Sequence, residues 1–548
     1  MLTRISLLFL ISHSLLNAQQ AATLDPILDG IDQQIDGVAP GIAIGVVKDG
    51  EVILEWYAGY ANLEHRIKID KHSKFNIASM AKQFTAACLL QLALQDKIDL
   101  QSDIRNYLPE LYPDIKQPIL ISQVINHTSG IRDYCDLMSV QGDPWWRREG
   151  LDNEDVIELL SDQRSLNFEP GTQHIYSNSN YTLITALVEK VSGMSFDAYA
   201  DKFFLDRNMT QTSFSTNYMD VIDNLASPYS NWGGPKWKLY PMMTDLHGDG
   251  FLYTTLPDQL VWEVMLQQHA KDPLVMSSQR PIEDSDYKAY GYGLEFDVYK
   301  GNKRVHHAGG TGSYGSEVMR FPDKGLSIIV MSNSGSLWAS GIAADLADHY
   351  LAADQDSNSY PRGPQRISKR PSFDSIVGTY ELEDRTIMRI VRKNDSLYRE
   401  IEGRDPVLLL SVEGNLFEYA NNPDLRIAFV SNRIGSFDFL LYHPQIEQRL
   451  GRRLPELTNP SPKSLDGLYS NDELDVSLEV SHIRDNYYQI SIWDRDYEVA
   501  MLEEGQLRFN GFTANFERNT SGQVAQLLLD YNRVRAIQFA KLRQDPKQ

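Results

Sequence analysis

Apolar and polar positions along the 548-residue chain fall into successive, distinct patterns. Residues 41–60, GIAIGVVKDGEVILEWYAGY, hold two apolar runs on either side of Lys48-Asp49-Gly50, the signature of an antiparallel hairpin. From 80 to 95 the apolar and alanine spacing turns helical, with no proline or glycine, which predicts a helix topped by Ser79. The middle of the chain, to about residue 270, mixes helical stretches such as 181–191 with loops rich in Gly, Pro, Asn and Asp, and reads as a helical subdomain. Strand-like runs return at 292–299, 304–308, 317–321 and 327–332, broken by Gly301-Asn302 and Asp323-Lys324-Gly325, and a helix over about 337–351 follows.

Residues 354–371, DQDSNSYPRGPQRISKRP, have no periodicity and three prolines, which marks an interdomain linker. Beyond it short alternating strands run to the end, and they repeat. Gly378-Thr379-Tyr380 recurs as Gly467-Leu468-Tyr469, and Asp395-Ser396-Leu397-Tyr398 as Asp485-Asn486-Tyr487-Tyr488. Two similar small β-barrels, over 372–456 and 463–548, are the expectation, since a closed meander has no open edge; one larger two-part sheet is the alternative. The class is therefore α+β, with a first folded domain over 23–353.

Composition narrows the picture. Hydrophobic residues at 42% and charged residues at 23% belong to a folded globular chain. A formal net charge of −22 repels polyanions, and the basic residues between 362 and 370 lie in the linker, so nucleic acid is not an expected partner. Arg4, the apolar stretch 5–16 and Ala18 or Ala22 read as a signal peptide over 1–22, and hence as export to the periplasm or the medium. That stretch is short for a membrane span, and no later segment is long and apolar enough, so stable membrane insertion after cleavage is not expected. Cys88 and Cys135, the two cysteines, make no disulfide scaffold. Cys88 reads as a buried thiol on the face of the helix opposite Ser79, with a bridge to Cys135 left open.

Three short strings carry candidate chemistry. In Ser79-Met80-Ala81-Lys82 the i to i+3 spacing sets an amine one helical turn from a hydroxyl, which needs such a base to become a nucleophile. Tyr176-Ser177-Asn178 follows the turn signal Glu169-Pro170-Gly171-Thr172, which predicts a loop carrying a proton-relaying phenol and an amide. His307-Ala308-Gly309-Gly310-Thr311-Gly312 reads as a strand running out into glycines, where a backbone edge can approach a ligand and supply an oxyanion donor. The adjacent His306 and His307 point to opposite faces of a strand and form no metal-ligand pattern; neither metal nor cofactor is expected.

In this order Ser79-x-x-Lys82, Tyr176-x-Asn178 and His307-x-Gly309 resemble the three active-site elements of the serine β-lactamase, penicillin-binding protein and D-aminopeptidase superfamily. Asn126-His127-Thr128-Ser129-Gly130-Ile131, Tyr290-Gly291-Tyr292-Gly293-Leu294 and Phe321-Pro322-Asp323-Lys324-Gly325 add to the likeness, which covers about 25–352. The resemblance implies an antiparallel sheet flanked by helices plus a helical region, with the site between them, followed here by lipocalin-like barrels. It implies Ser79 as acylated nucleophile, Lys82 and Tyr176 sharing proton transfer, Asn178 holding a substrate amide, and backbone N–H groups of Ser79 and Gly310 at the oxyanion, with Gly309 beside them. His307 stands where many members have the lysine of Lys-Thr-Gly, which weakens attraction for a substrate carboxylate and points to the D-aminopeptidase and esterase branch.

The function expected is hydrolysis of amides or esters, on small D-residue-containing peptides. The alternatives are a carboxylesterase, a weak β-lactamase or DD-peptidase on the same site, or a catalytically silent ligand-binding protein. Oligomeric state is not legible.

Overall fold

The apolar runs at 41–60 and 327–332 meet in one sheet. The computed structural model describes residues 24–352 and 373–542, apart from 25, 233, 383–386, 402–403, 414–415, 432–436, 443–447, 454–464 and 502–504. The signal-peptide and linker readings, at 1–22 and 354–371, lie outside the described residues. The chain divides into two compact units, positions up to 135 with 143–359, and 136–142 with 360 onward.

The first unit is built on six antiparallel strands, β1 (Ile42–Lys48), β2 (Glu51–Ala58), β3 (Glu295–Tyr299), β4 (Asn302–Thr311), β5 (Tyr314–Phe321) and β6 (Leu326–Ser332). Their order is β3-β4-β5-β6-β1-β2, so the N-terminal hairpin closes on the last strand, Ile42 opposite Ser332. β6 is buried at every position and β1 at all but Lys48, which explains their continuous apolar runs: both faces of the sheet centre are covered. The edge strand β2 is exposed or half-buried throughout.

Four helices cover this sheet or carry the site: α1 (Lys82–Leu94), α2 (Asn178–Ser192), α3 (Leu256–Gln268) and α4 (Ala339–Ala352). Ala343, Leu346 and Ala347 of α4 pack with Ile42, Ile44, Val46, Ile328 and Val330 on one face of the sheet. α3 covers the other face, Leu256 and Leu260 filling the space above Gly45. α1 is buried on nearly every side, which suits a helix through the centre of a helical region. Among the described residues no helix is long and apolar enough to cross a membrane.

The second unit holds two eight-stranded sheets. The first, from Gly378–Leu382 to Gln448–Arg453, is a closed barrel, sealed where Tyr380 pairs with Arg453. The second, over 467–541, is barrel-like in strand order, but its end strands Arg495–Ala500 and Gln506–Phe509 are not hydrogen-bonded to each other. The repeat noted in the sequence has a physical meaning: Tyr380 and Tyr469 each donate from the hydroxyl to the carbonyl four residues back, Ile376 and Leu465, both at 2.7 Å.

Candidate active site

Two strings sit differently from expectation. Asn178 is not on a loop but is the first residue of α2, with Ser177 in extended conformation before it. The reason is a hydrogen bond at 2.5 Å from the Asn178 N–H to the carboxylate of Asp133, which satisfies a free helix donor and complements the helix dipole. Nor does β4 end at its glycines: Gly309 pairs with Ser316 and Gly310 with Gly315, and the strand runs on to Thr311.

Ser79 lies in a 3-10 turn, Ala78–Ala81, that leads directly into α1. Ala78 has φ of 47°, a left-handed conformation disfavoured for a residue with a Cβ, and its N–H donates to Asn76 Oδ1 at 2.8 Å. Strain of this kind persists only when the surroundings enforce it. Here β4 and β5 enforce it: Ser316 Oγ donates to the Ile77 carbonyl at 2.7 Å. A Cβ on Gly309 would sit 2.2 Å from that same carbonyl, so only glycine lets the strand press this close to the turn. A Cβ on Gly310 would meet nothing within 4 Å, so this edge faces open space.

Lys82, fully buried, donates to Ser79 Oγ at 3.1 Å, to Asn178 Oδ1 at 2.9 Å and to the main-chain carbonyl of Asp249. The last two can only accept. Ser79 alone of the three can also donate, so a neutral amine that keeps both N–H bonds to Asn178 and Asp249 aims its lone pair at the Ser79 hydroxyl. The amine also lies 5.1 Å from the Tyr176 ring and 5.5 Å from that of Tyr181. Asn178 holds its Nδ2 3.6 Å from Cys135 Sγ. Both Cys88 and Cys135 are buried free thiols, so no bridge joins them.

His307 is buried, and both ring nitrogens are engaged: Nδ1 lies 2.6 Å from the Ala308 carbonyl and Nε2 3.0 Å from Tyr290 Oη. A carbonyl only accepts, so the proton sits on Nδ1 and the tyrosine donates to Nε2. Burial and the nearby Lys82 charge push its pKa down to about 3, and the ring is neutral at ordinary pH. The neutral ring props Tyr290 and brings no cation to the site. Its neighbour His306 faces the other way, toward Glu295, Asp297 and Glu317 at 3.5–3.8 Å. Burial pulls its pKa down, but hydrogen bonds to Asp297 and Glu317 outweigh that and raise it to about 9.

Residues outside the three strings hold this arrangement. Asp133 also accepts from the Cys135 N–H at 3.0 Å. Tyr134 donates to Asp249 Oδ2 at 2.9 Å, and burial holds the Asp249 carboxyl above the usual range, with Lys82 opposing. His127, at φ 61°, packs against Tyr176 with the ring centres 4.3 Å apart and the planes tilted by 39°, and receives the Ser177 N–H on Nδ1 at 3.2 Å. Tyr290-Gly291-Tyr292-Gly293-Leu294 lies against the start of α1, where a Cβ on Gly293 would be 2.5 Å from the Lys82 carbonyl. The segments around 127 and 290 are visible in the sequence as part of the family likeness, but nothing there distinguishes Asp133 or Asp249 from surface carboxylates. Among the described residues no group of three or more His, Cys, Asp or Glu side chains is arranged to hold a metal ion.

Comparison with known proteins gives the same frame. The chain is 28% identical over 368 residues to a D-aminopeptidase of Gluconobacter oxydans (strain 621H), covering 66% of each protein. It is 25% identical over 431 residues to penicillin-binding protein 4* of Bacillus subtilis (strain 168), covering 74% of this chain and 93% of that one. Across the D-aminopeptidases matched, the alignment spans 59–66% of their length. In fold it matches the octameric penicillin-binding protein homologue from Pyrococcus abyssi with a TM-score of 0.55 at 20% identity, over 79% of this chain and 99% of that one. A D-amino acid amidase from Ochrobactrum anthropi SV3, complexed with L-phenylalanine amide, matches at 0.51 and 21% identity, over 62% of this chain and all of that one. The Beta-lactamase family model matches residues 22–352, and the chain belongs to that family.

Proposed function

We propose that the chain is a serine hydrolase that cleaves amide bonds through an acyl-enzyme on Ser79, with D-aminopeptidase-like preference for small amides and peptides of D-residues. The observation that carries this reading is the 3.1 Å contact of Ser79 Oγ with Lys82 Nζ on a strained turn beside the open edge of Gly310. The names of the matched D-aminopeptidases support the substrate class.

In the first half-reaction Ser79 Oγ bonds to the substrate carbonyl carbon as its proton passes to Lys82. The developing oxyanion is held by the N–H groups of Ser79 and Gly310. The C–N bond then breaks and the leaving amine takes a proton by way of Lys82 and Tyr176. Water attacks the acyl-enzyme, its proton returns along the same groups, and the carboxylate product leaves with Ser79 restored. Asn178 keeps Lys82 in line, and the second N–H of its amide serves the substrate.

The neutral His307 argues against strong β-lactamase action, since this position offers a substrate carboxylate no cation. Export after removal of 1–22 is part of the proposal, and N-terminal sequencing of the mature protein checks it. Turnover of D-Ala-p-nitroanilide, its L-isomer, p-nitrophenyl butyrate and nitrocefin tests the specificity. The D-anilide is expected to lead and nitrocefin to lag; dominance of the ester would move the assignment to a carboxylesterase, and activity on none of them would sink it.

A further inference from the structure

Arg399 lies on the strand Ser396–Ile401 of the closed barrel and is 9% exposed. Its register partners on either side are Ile390 and Val407, both in the barrel core, so its side chain enters the interior. There its guanidinium carbon lies 5.2 Å from the centre of the Tyr419 ring. Its Nε and Nη1 are buried and, among the described residues, have no acceptor. A guanidinium stays charged at any ordinary pH, and two of its three nitrogens are thus desolvated without compensation.

The second sheet shows that the scaffold does not require this residue. Gly378 pairs with Ile390, which pairs with Arg399; Gly467 pairs with Val480, which pairs with Ile490. Ile490 is therefore the counterpart of Arg399, and it is wholly buried. Tyr419 closes the strand LFEY as Phe509 closes QLRF, with the same alternation of burial. An arginine and tyrosine in one module stand where the other has isoleucine and phenylalanine.

We infer that the closed barrel binds a small monocarboxylate with an apolar tail, its carboxylate on the terminal Nη1 of Arg399 and its tail among Leu397, Leu409 and Phe417. The acceptor must come from the ligand, must be anionic to match the guanidinium, and must bring apolar atoms to suit the walls. An eight-stranded barrel has room for one small ligand at most, which sets the size. This site is independent of the reaction proposed at Ser79.

The test titrates the full chain with octanoate and with 1-octanol, reading thermal unfolding and calorimetric binding, for the natural sequence and Arg399→Met. Octanoate is expected to raise the melting temperature of the natural chain by several degrees where octanol does not, and to bind the variant at least tenfold more weakly. Without ligand the variant is expected to melt higher, because an uncompensated buried charge is gone. Equal octanoate affinity in both proteins, or equal shifts from octanoate and octanol in the natural chain, would overturn the inference. The second comparison needs no variant and holds even if Arg399→Met fails to fold.

Discussion

Two buried basic side chains, one in each unit, are treated in opposite ways. Lys82 sits among oxygen acceptors drawn from positions 3, 96 and 167 residues away along the chain. Arg399 sits in a regular barrel whose neighbouring strands offer it Ile390 and Val407. An amine whose acceptors the fold itself supplies can, in its neutral form, act on one of them, and Ser79 is the acceptor that can give up a proton. A cation left with buried N–H groups can act only on something that arrives. Burial alone therefore says little about a charged group; what its partners can donate or accept decides its use.

Replacing Lys82 with Met removes one side of this contrast and has the largest expected effect. Turnover of D-Ala-p-nitroanilide is expected to fall by about three orders of magnitude, the scale on which loss of an activating base is felt. Steady-state kinetics on the purified variant measures it, with circular dichroism to show that it folds. Gly309→Ala comes next. Its Cβ would collide with the Ile77 carbonyl and with Ser316 Oγ, 2.3 Å away, so the nucleophile turn must move, and kcat is expected to drop about a hundredfold with a lower melting temperature. Gly310→Ala, which meets nothing, is expected to leave the melting temperature within about a degree, and equal melting temperatures for the two variants would mean the turn is not held by that strand.

Tyr290→Phe removes the donor to His307 Nε2 and leaves a buried acceptor unsatisfied, which costs about 1–3 kcal/mol in urea denaturation. The last two expectations concern pH. His307, lowered to about 3, stays neutral when folded while the unfolded chain takes up a proton below its ordinary pKa of 6.5, so stability falls as pH drops from 6.5 toward 3. His306, raised to about 9, contributes stability that is complete below 6.5 and lost as pH rises through 9. His306→Gln is therefore expected to flatten the alkaline side of a melting-temperature profile and leave the acid side alone.

Much of this is legible in the residues. Periodicity locates the hairpin, α1 and the last four strands of the sheet, because buried strands and a helix without proline leave plain patterns. The repeat of Gly378-Thr379-Tyr380 at Gly467 reveals two similar modules, since the same tyrosine-to-carbonyl bond is needed twice. The three strings name residues that the fold brings together across more than 200 positions. The helical start at Asn178 is not legible, because it depends on Asp133 from a distant segment. Nor is it legible that His307 is locked between Ala308 and Tyr290, or that Arg399 points inward. Each of these turns on which side of an element a polar group faces, and charge and hydropathy alone carry no such information.

Everything proposed for the first unit stands on an activated nucleophile at Ser79. Intact mass after treatment with a fluorophosphonate probe reads that directly, for the natural chain, Ser79→Ala and Lys82→Met. One adduct, mapped to Ser79, is expected on the natural chain and none on either variant. No adduct on the folded natural chain, or an adduct that survives in Ser79→Ala, would refute the assignment.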